Sequence, residues 1–110
     1  VPVSARIPKH MQQKVRRYAQ REGRDMQAVY VDWVGGFIRE ARRAPNKALP
    51  AYFPVTPTSE PIATFRAAPE LRDALGALAA DLSVERNERV TNTNLIRHAV
   101  ERQLEALGEL

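Results

Sequence analysis

The sequence contains no cysteine and only two histidines. The lack of cysteine excludes a disulfide scaffold, thiol catalysis and cysteine-based zinc sites, and it is typical of proteins in a reducing compartment. His10 and His98 lie far apart in the chain, so a histidine-rich metal site is not expected. We therefore predict a cytoplasmic protein with no cofactor and no metal.

Long apolar runs and catalytic patterns are also missing. The most apolar stretch, residues 29–38, is interrupted by Asp32 and falls short of the roughly 18 apolar residues that a membrane span needs. No signal peptide is recognised. The carboxylates are scattered, and no Ser-His-Asp order is found. We expect neither a membrane protein nor an enzyme. Because the chain begins at Val1 and not at methionine, we also expect a piece of a longer protein.

The composition is that of one globular domain with an excess of basic residues. The 110 residues are 44% hydrophobic and 27% charged. Lysine and arginine number 17 against 13 acidic residues, a net charge of +4. The excess is uneven, since residues 1–44 carry 10 basic and 4 acidic side chains whereas residues 61–110 carry 6 and 8. A basic first half indicates a polyanionic partner.

A proline-rich segment, residues 45–60, separates the two halves. Prolines occupy positions 45, 50, 54, 57 and 61. Because proline lacks an amide donor and has a fixed φ, this segment is predicted to be an extended linker, neither a helix nor a central strand. Its apolar residues Leu49, Tyr52, Phe53 and Val55 suggest that it lies along the protein surface. A loose tether is the alternative.

The flanking halves resemble each other at an offset of sixty residues. Residues 3–7 and 63–67 both alternate apolar and polar side chains, so that Ser4 matches Thr64 and Arg6 matches Arg66. Alternation with a period of two predicts a short strand with one buried face. A helical stripe follows each strand. The two stripes are Met11, Val15, Tyr18 and Ala19, and Leu71, Leu75, Leu78 and Ala79.

A second helix is predicted in each half. Gly23 is suited to end the first helix and Asp25 to cap the next one. The equivalent cap in the second half is Thr91, which is 66 positions after Asp25. About six extra residues therefore lie within 82–90, as a longer helix or an added loop. Each half is predicted to be strand–helix–helix, with the two strands pairing antiparallel over four helices in one compact domain.

The ordered motifs resemble the ribbon-helix-helix family of MetJ and Arc. In the first half the resemblance is carried by Arg6-Ile7-Pro8-Lys9 and by residues 22–27, Glu-Gly-Arg-Asp-Met-Gln. In the second half, residues 91–100 resemble the family's Ser-x-Ser-Glu-Leu-Ile-Arg-x-Ala segment. Two copies in one chain are similar to the TraY relaxosome proteins of conjugative plasmids. The resemblance covers the chain except for the linker and the extreme tail.

The resemblance implies a fold, a partner and a role. The fold would be α+β and mostly helical, with repeats 1–44 and 61–110 forming an intramolecular pseudo-dimer. The partner would be double-stranded DNA, bound by a monomer through its ribbon in the major groove. The role would be that of an accessory factor in plasmid or T-DNA processing and conjugative transfer, a virulence function in the T-DNA case. The alternatives are a repressor or antitoxin of the same fold, or an interaction module that recruits a relaxase.

Two sets of candidate site residues follow. The alternation of side chains turns Ser4, Arg6, Thr64 and Arg66 outward. There each arginine can make a bidentate contact to guanine, and the two hydroxyls can donate or accept hydrogen bonds. A merely solvated sheet surface is the alternative. The neighbouring Pro2 and Ile62 would contact a thymine methyl group or read nothing. The predicted phosphate contacts lie at or just before the start of the second helix of each half and at the start of the first helix: Lys9, Arg24, Met26, Gln27, Thr91, Asn92 and Thr93.

Two further features have structural interpretations. The basic residues Lys14, Arg16, Arg17 and Arg21 are interpreted as the solvated face of the first helix, with a second basic surface as the alternative. Gly35-Gly36 inside a helix costs roughly 2 kcal/mol relative to two alanines. Close approach of a neighbouring helix is the expected reason for this pair.

Overall fold

Two five-residue strands from opposite halves of the chain pair with each other. In the computed structural model, which describes residues 1–110, β1 is Pro2–Arg6 and β2 is Ile62–Arg66. They form a two-stranded antiparallel sheet in which Ser4 lies opposite Thr64. Val3, Ala5, Ala63 and Phe65 are buried, whereas the alternate residues face outward. The predicted strands, their pairing and their buried face are confirmed.

Five helices accompany the sheet, one more than predicted from the sequence. They are α1 Lys9–Arg21, α2 Met26–Arg43, α3 Pro45–Ala48, α4 Pro69–Arg86 and α5 Asn92–Ala106. The additional helix, α3, is a single turn. None of the five combines the length and the hydrophobicity needed to cross a membrane. The fold is α+β and mostly helical, with the element order strand–helix–helix on both sides of the linker.

Local sequence signals set the helix ends as predicted. Gly23 follows the end of α1 with φ +63°, and the N–H of Arg24 donates to the carbonyl of Ala19 at 2.8 Å. This is the left-handed closure that glycine favours. The Asp25 carboxylate then accepts from the N–H of Gln27 at 2.8 Å and caps α2.

The extra residues of the second half lengthen its first helix. α4 has 18 residues whereas α1 has 13. The last residue of α4 is Arg86, and Asn87 follows it as the C-cap. The φ of Asn87, 50°, lies in the left-handed region that asparagine tolerates better than most residues. Of the two predicted possibilities, a longer helix or an added loop, the structure therefore uses mainly the first.

One hydrophobic core serves both halves. The 26 buried hydrophobic residues form a single cluster that draws on both strands, all five helices and Val90 in the loop before α5. Phe65 of β2 stacks on Tyr30 of α2 with ring centroids 5.3 Å apart. The radius of gyration, 13.3 Å, is close to the value of about 13 Å expected for one compact domain of this length.

The prediction that residues 45–60 contain no helix is wrong. Residues 45–48 form the one-turn helix α3, in which Pro45 occupies the first position. Proline fits there because the first helical amide has no intrahelical partner and its φ is already helical. The rest of the linker contains no helix or strand. Leu49 and Phe53 pack against the core, while Tyr52 and Val55 are exposed, so the linker lies along the surface and is not a loose tether.

The close helix approach expected at Gly35-Gly36 is not found. A Cβ at Gly35 would lie 3.5 Å from Nη1 of Arg39 and 3.8 Å from Cδ1 of Leu71, and at Gly36 it would lie 3.8 Å from Nη2 of Arg39. These are ordinary van der Waals contacts with side chains, not with a neighbouring backbone. The structure offers no steric reason for either glycine.

Two other glycines provide a stability test with a built-in control. Gly76, inside α4, and Gly23 both have open space where a Cβ would lie, but only Gly23 has a positive φ. Gly76→Ala should raise the free energy of unfolding by about 1 kcal/mol because it removes the helix cost of glycine. Gly23→Ala should lower it by about 1–2 kcal/mol because alanine is strained there. Urea unfolding followed by circular dichroism measures both, and changes of the same sign would contradict the different roles assigned to the two glycines.

Candidate nucleic-acid interface

The outer face of the ribbon is centred on two hydroxyl side chains. Ser4 and Thr64 lie opposite each other, and their side-chain oxygens are 2.9 Å apart, within hydrogen-bonding distance. Both residues are exposed. Because side chains alternate along a strand, the residues two positions away on each strand share this face. The pair therefore marks the middle of a polar surface turned away from the core.

The two ribbon arginines lie at opposite ends of this surface. Arg6 is opposite Ile62, and Arg66 is opposite Pro2. The Arg6–Ile62 pair and the Pro2–Arg66 pair are four residue steps apart along β2, which corresponds to about 13 Å. The predicted base-contacting residues Ser4, Arg6, Thr64 and Arg66 are thus brought onto one face, with a hydroxyl pair between two cations.

The two arginines differ in their surroundings. Nη1 of Arg6 donates to the backbone carbonyl of Glu60 at 2.8 Å, and Arg6 is half-buried. The side chain of Arg66 is exposed, and its guanidinium has no hydrogen bond or ion pair within the chain. The end of the linker therefore fixes the direction of the Arg6 side chain, whereas no contact within the chain fixes that of Arg66.

Each end of the ribbon lies beside the start of a helix. The N–H of Arg66 donates to Oε1 of Gln27 at 2.8 Å, which places the first turn of α2 at that end. At the other end, Arg6 lines an open groove together with Thr91, Thr93 and Asn94 from the start of α5. The first amides of a helix lack intrahelical acceptors and carry partial positive charge. Both ends therefore combine an arginine with a helix N-terminus.

The two helix starts are capped by different chemistry. Asp25 places a carboxylate at α2 and occupies the N–H of Gln27. α5 has a neutral capping box, in which Oγ1 of Thr91 accepts from the N–H of Asn94 at 3.2 Å and Oδ1 of Asn94 accepts from the N–H of Thr91 at 2.9 Å. Because the carboxylate opposes a second anion, the α5 start is the better anion site.

The two remaining predicted phosphate contacts, Lys9 and Arg24, differ in whether they form an ion pair within the chain. Lys9 is the first residue of α1, is exposed and has no partner within the chain. Arg24 forms an ion pair with Asp32, and the hydrogen bond that its guanidinium donates to this carboxylate raises the pKa of Arg24 above its ordinary value. Lys9 is thus a free cation at the edge of the ribbon, whereas the charge of Arg24 is already balanced.

One cation of this region is absent from the residues predicted from the sequence. Arg89 is exposed, lies two positions before the cap Thr91 and lines the same groove as Arg6. A basic residue just before a neutral helix cap is the signal that could have identified it. Linker residues 53–56 and 58 form the opposite wall of this groove, and no pattern in the sequence indicated that contact.

The basic cluster on α1 is partly used inside the protein. Nζ of Lys14 donates to the carbonyl of Glu109, and Nη2 of Arg21 lies 3.1 Å from Oε1 of the same residue. Arg16 and Arg17 are exposed and have no partner. The cluster therefore holds the C-terminal tail against α1 and otherwise forms a solvated face.

Comparisons with known proteins add no family to this description. No protein-family model, curated protein or solved structure matches the chain. No group of three or more histidine or carboxylate side chains is arranged so that it could hold a metal ion. The site is therefore interpreted from its own residues.

His98 connects the linker to the helices beside this site. Its Nε2 lies 3.1 Å from the carbonyl of Ala48, and its ring makes edge contacts with Phe37 and Phe53 at centroid distances of 5.4 and 5.8 Å. Burial lowers the pKa of His98, because the charged imidazolium is disfavoured away from water. The neutral ring is the form that packs under the linker.

This arrangement predicts a loss of stability in mild acid. The unfolded chain takes up a proton at His98 near the ordinary histidine value of about 6.5, whereas the folded chain does so only at lower pH. Stability should therefore fall as the pH decreases through about 6.5. His98→Gln should flatten this part of the profile of unfolding free energy against pH, and His10→Gln, at an exposed position, should not. Equal slopes for all three proteins would contradict the assignment.

Proposed function

We propose that this chain is a tandem ribbon-helix-helix domain that binds double-stranded DNA with its β-ribbon in the major groove. Residues 1–44 and 61–110 would be the two repeats, joined by the linker 45–60 into an intramolecular pseudo-dimer. The domain would act as a monomer, since the ribbon that other members build from two chains is already complete. The resemblance to single-chain relaxosome proteins makes an accessory role in plasmid or T-DNA transfer the expected setting.

One observation carries this proposal. Ser4 and Thr64 lie at the centre of the outer ribbon face, with Arg6 and Arg66 two residues away on either side. The major groove admits a two-stranded ribbon, and its base edges offer acceptors that arginine binds in two-point fashion. The arginine levels are about 13 Å apart along the ribbon, so the two side chains can reach different base pairs of one groove.

The helix starts and the charge support the same orientation. An α-helix N-terminus lies beside each end of the ribbon, where the backbone amides can bind phosphates that flank the groove. The chain carries a net charge of +4. Contacts with phosphate release counterions, so binding should weaken steeply with salt.

Alanine variants separate base reading from phosphate anchoring. On a duplex selected from a random pool, Arg6→Ala or Arg66→Ala should cost about 1–3 kcal/mol of binding free energy and much less on a scrambled duplex. Lys9→Ala should weaken both duplexes alike and reduce the salt slope by about one unit. Arg24→Ala should have a smaller effect because Asp32 already balances its charge. Fluorescence anisotropy at several salt concentrations measures these differences.

The control for charge is Arg39→Ala, at an exposed arginine of α2 that makes no ion pair, roughly 20 Å along the helix from its first residue Met26. It changes the net charge by the same amount as the other variants and should leave selectivity unchanged. If Arg6→Ala and Arg66→Ala lowered the affinity for the selected and the scrambled duplex equally, the base-reading role of these arginines would be refuted. Failure of the unaltered protein to bind any duplex at low salt would withdraw the whole proposal.

A further inference from the structure

The linker forms one wall of an open groove at the Arg6 end of the ribbon. We call this the linker groove; its volume is about 660 Å³. Its two charged lining residues, Arg6 and Arg89, are both cations, and no carboxylate lines it. The linker supplies Val55, Thr56 and Thr58. The groove therefore offers positive charge and the hydroxyl groups of Thr58 and Thr93 to an anion.

The linker wall is held in place by two side chains that do not line the groove, Arg86 and Arg97. Arg86 donates to the carbonyl of Pro50 at 2.8 Å, and its guanidinium lies 5.3 Å from the centre of the Phe53 ring. At the far end of the linker, Oε1 of Glu60 accepts from Nη2 of Arg97 at 3.1 Å. Arg97 balances the charge of the Glu60 carboxylate, and the other carboxylate oxygen, Oε2, is buried, so Glu60 does not oppose an anion in the groove.

Three of the residues that line the groove have no evident structural task. Val55 is 92% exposed, although it is apolar. Oγ1 of Thr56 is buried and has no hydrogen-bond partner. Arg89 makes no ion pair within the chain. Folding alone therefore does not account for this combination of side chains.

The opposite end of the ribbon has no equivalent wall. Arg66 is exposed there, beside Gln27 of α2. From this difference we propose that the linker groove binds the sugar–phosphate backbone of one strand of the DNA held by the ribbon. The linker is then a DNA-contacting segment, and the two ends of the binding surface make unequal contacts. This inference rests on the proposed function.

The absence of cysteine permits a direct test of proximity. Val55→Cys introduces a single attachment point for an iron chelate that cleaves nearby DNA. Ala106→Cys is the matched control, since Ala106 is exposed and lies about 21 Å along α5 from Asn92. With the full 110-residue chain bound to a duplex, cleavage should occur at the margin of the footprint from position 55 and be much weaker from position 106. Absent cleavage from position 55, or equal cleavage from both positions, would overturn the inference.

A charge variant tests the contact itself. Arg89→Ala should weaken binding several-fold and reduce the salt slope by about one unit, because a phosphate contact is lost. Arg39→Ala removes an equally unpaired charge far from the ribbon and should change the slope much less. Equal effects of the two variants would overturn the linker-groove contact while leaving the ribbon proposal intact. Absence of any footprint with the unaltered chain would overturn both proposals.

Discussion

The antiparallel pairing of β1 with β2 is the interaction on which the rest of the structure depends. Each strand has only the other as a partner, so neither half can satisfy its backbone hydrogen bonds alone. The ladder is extended beyond the strands by the N–H of Ile7, which donates to Pro61, and by the N–H of Ala67, which donates to Val1. Pairing of segments sixty residues apart brings both sets of helices onto one side of the ribbon.

The same pairing determines which side chains are displayed. In this register the alternation of each strand turns Phe65 and its apolar neighbours into the shared core and leaves Ser4 and Thr64 at the centre of the outer face. A register shift of one residue would reverse this choice on one strand. The core therefore fixes the polar face indirectly, because burying the apolar side chains leaves only one orientation for the others.

The linker makes the two ends of the ribbon different, although the repeated sequence predicts that they are equivalent. It begins with the one-turn helix at Pro45, packs over His98 and ends at Glu60, whose carbonyl accepts a hydrogen bond from Arg6. No corresponding segment reaches Arg66. Arg6 and Arg66 hold matching positions in their repeats but differ in burial and in their contacts. The two ends of the ribbon surface are therefore unequal, although the strands themselves are approximately symmetric.

The sequence by itself determined the features that depend on neighbours within one or two turns. The period-two alternation identified both strands, and Gly23, Asp25 and Thr91 marked the helix ends through local backbone and side-chain chemistry. Tertiary structure decided the meeting of Arg89 with Arg6 across a groove, the hydrogen bond from Arg6 to the carbonyl of Glu60, and the contact of His98 with Ala48 of the linker. These contacts join segments that are brought together only when the core forms, so no local periodicity encodes them.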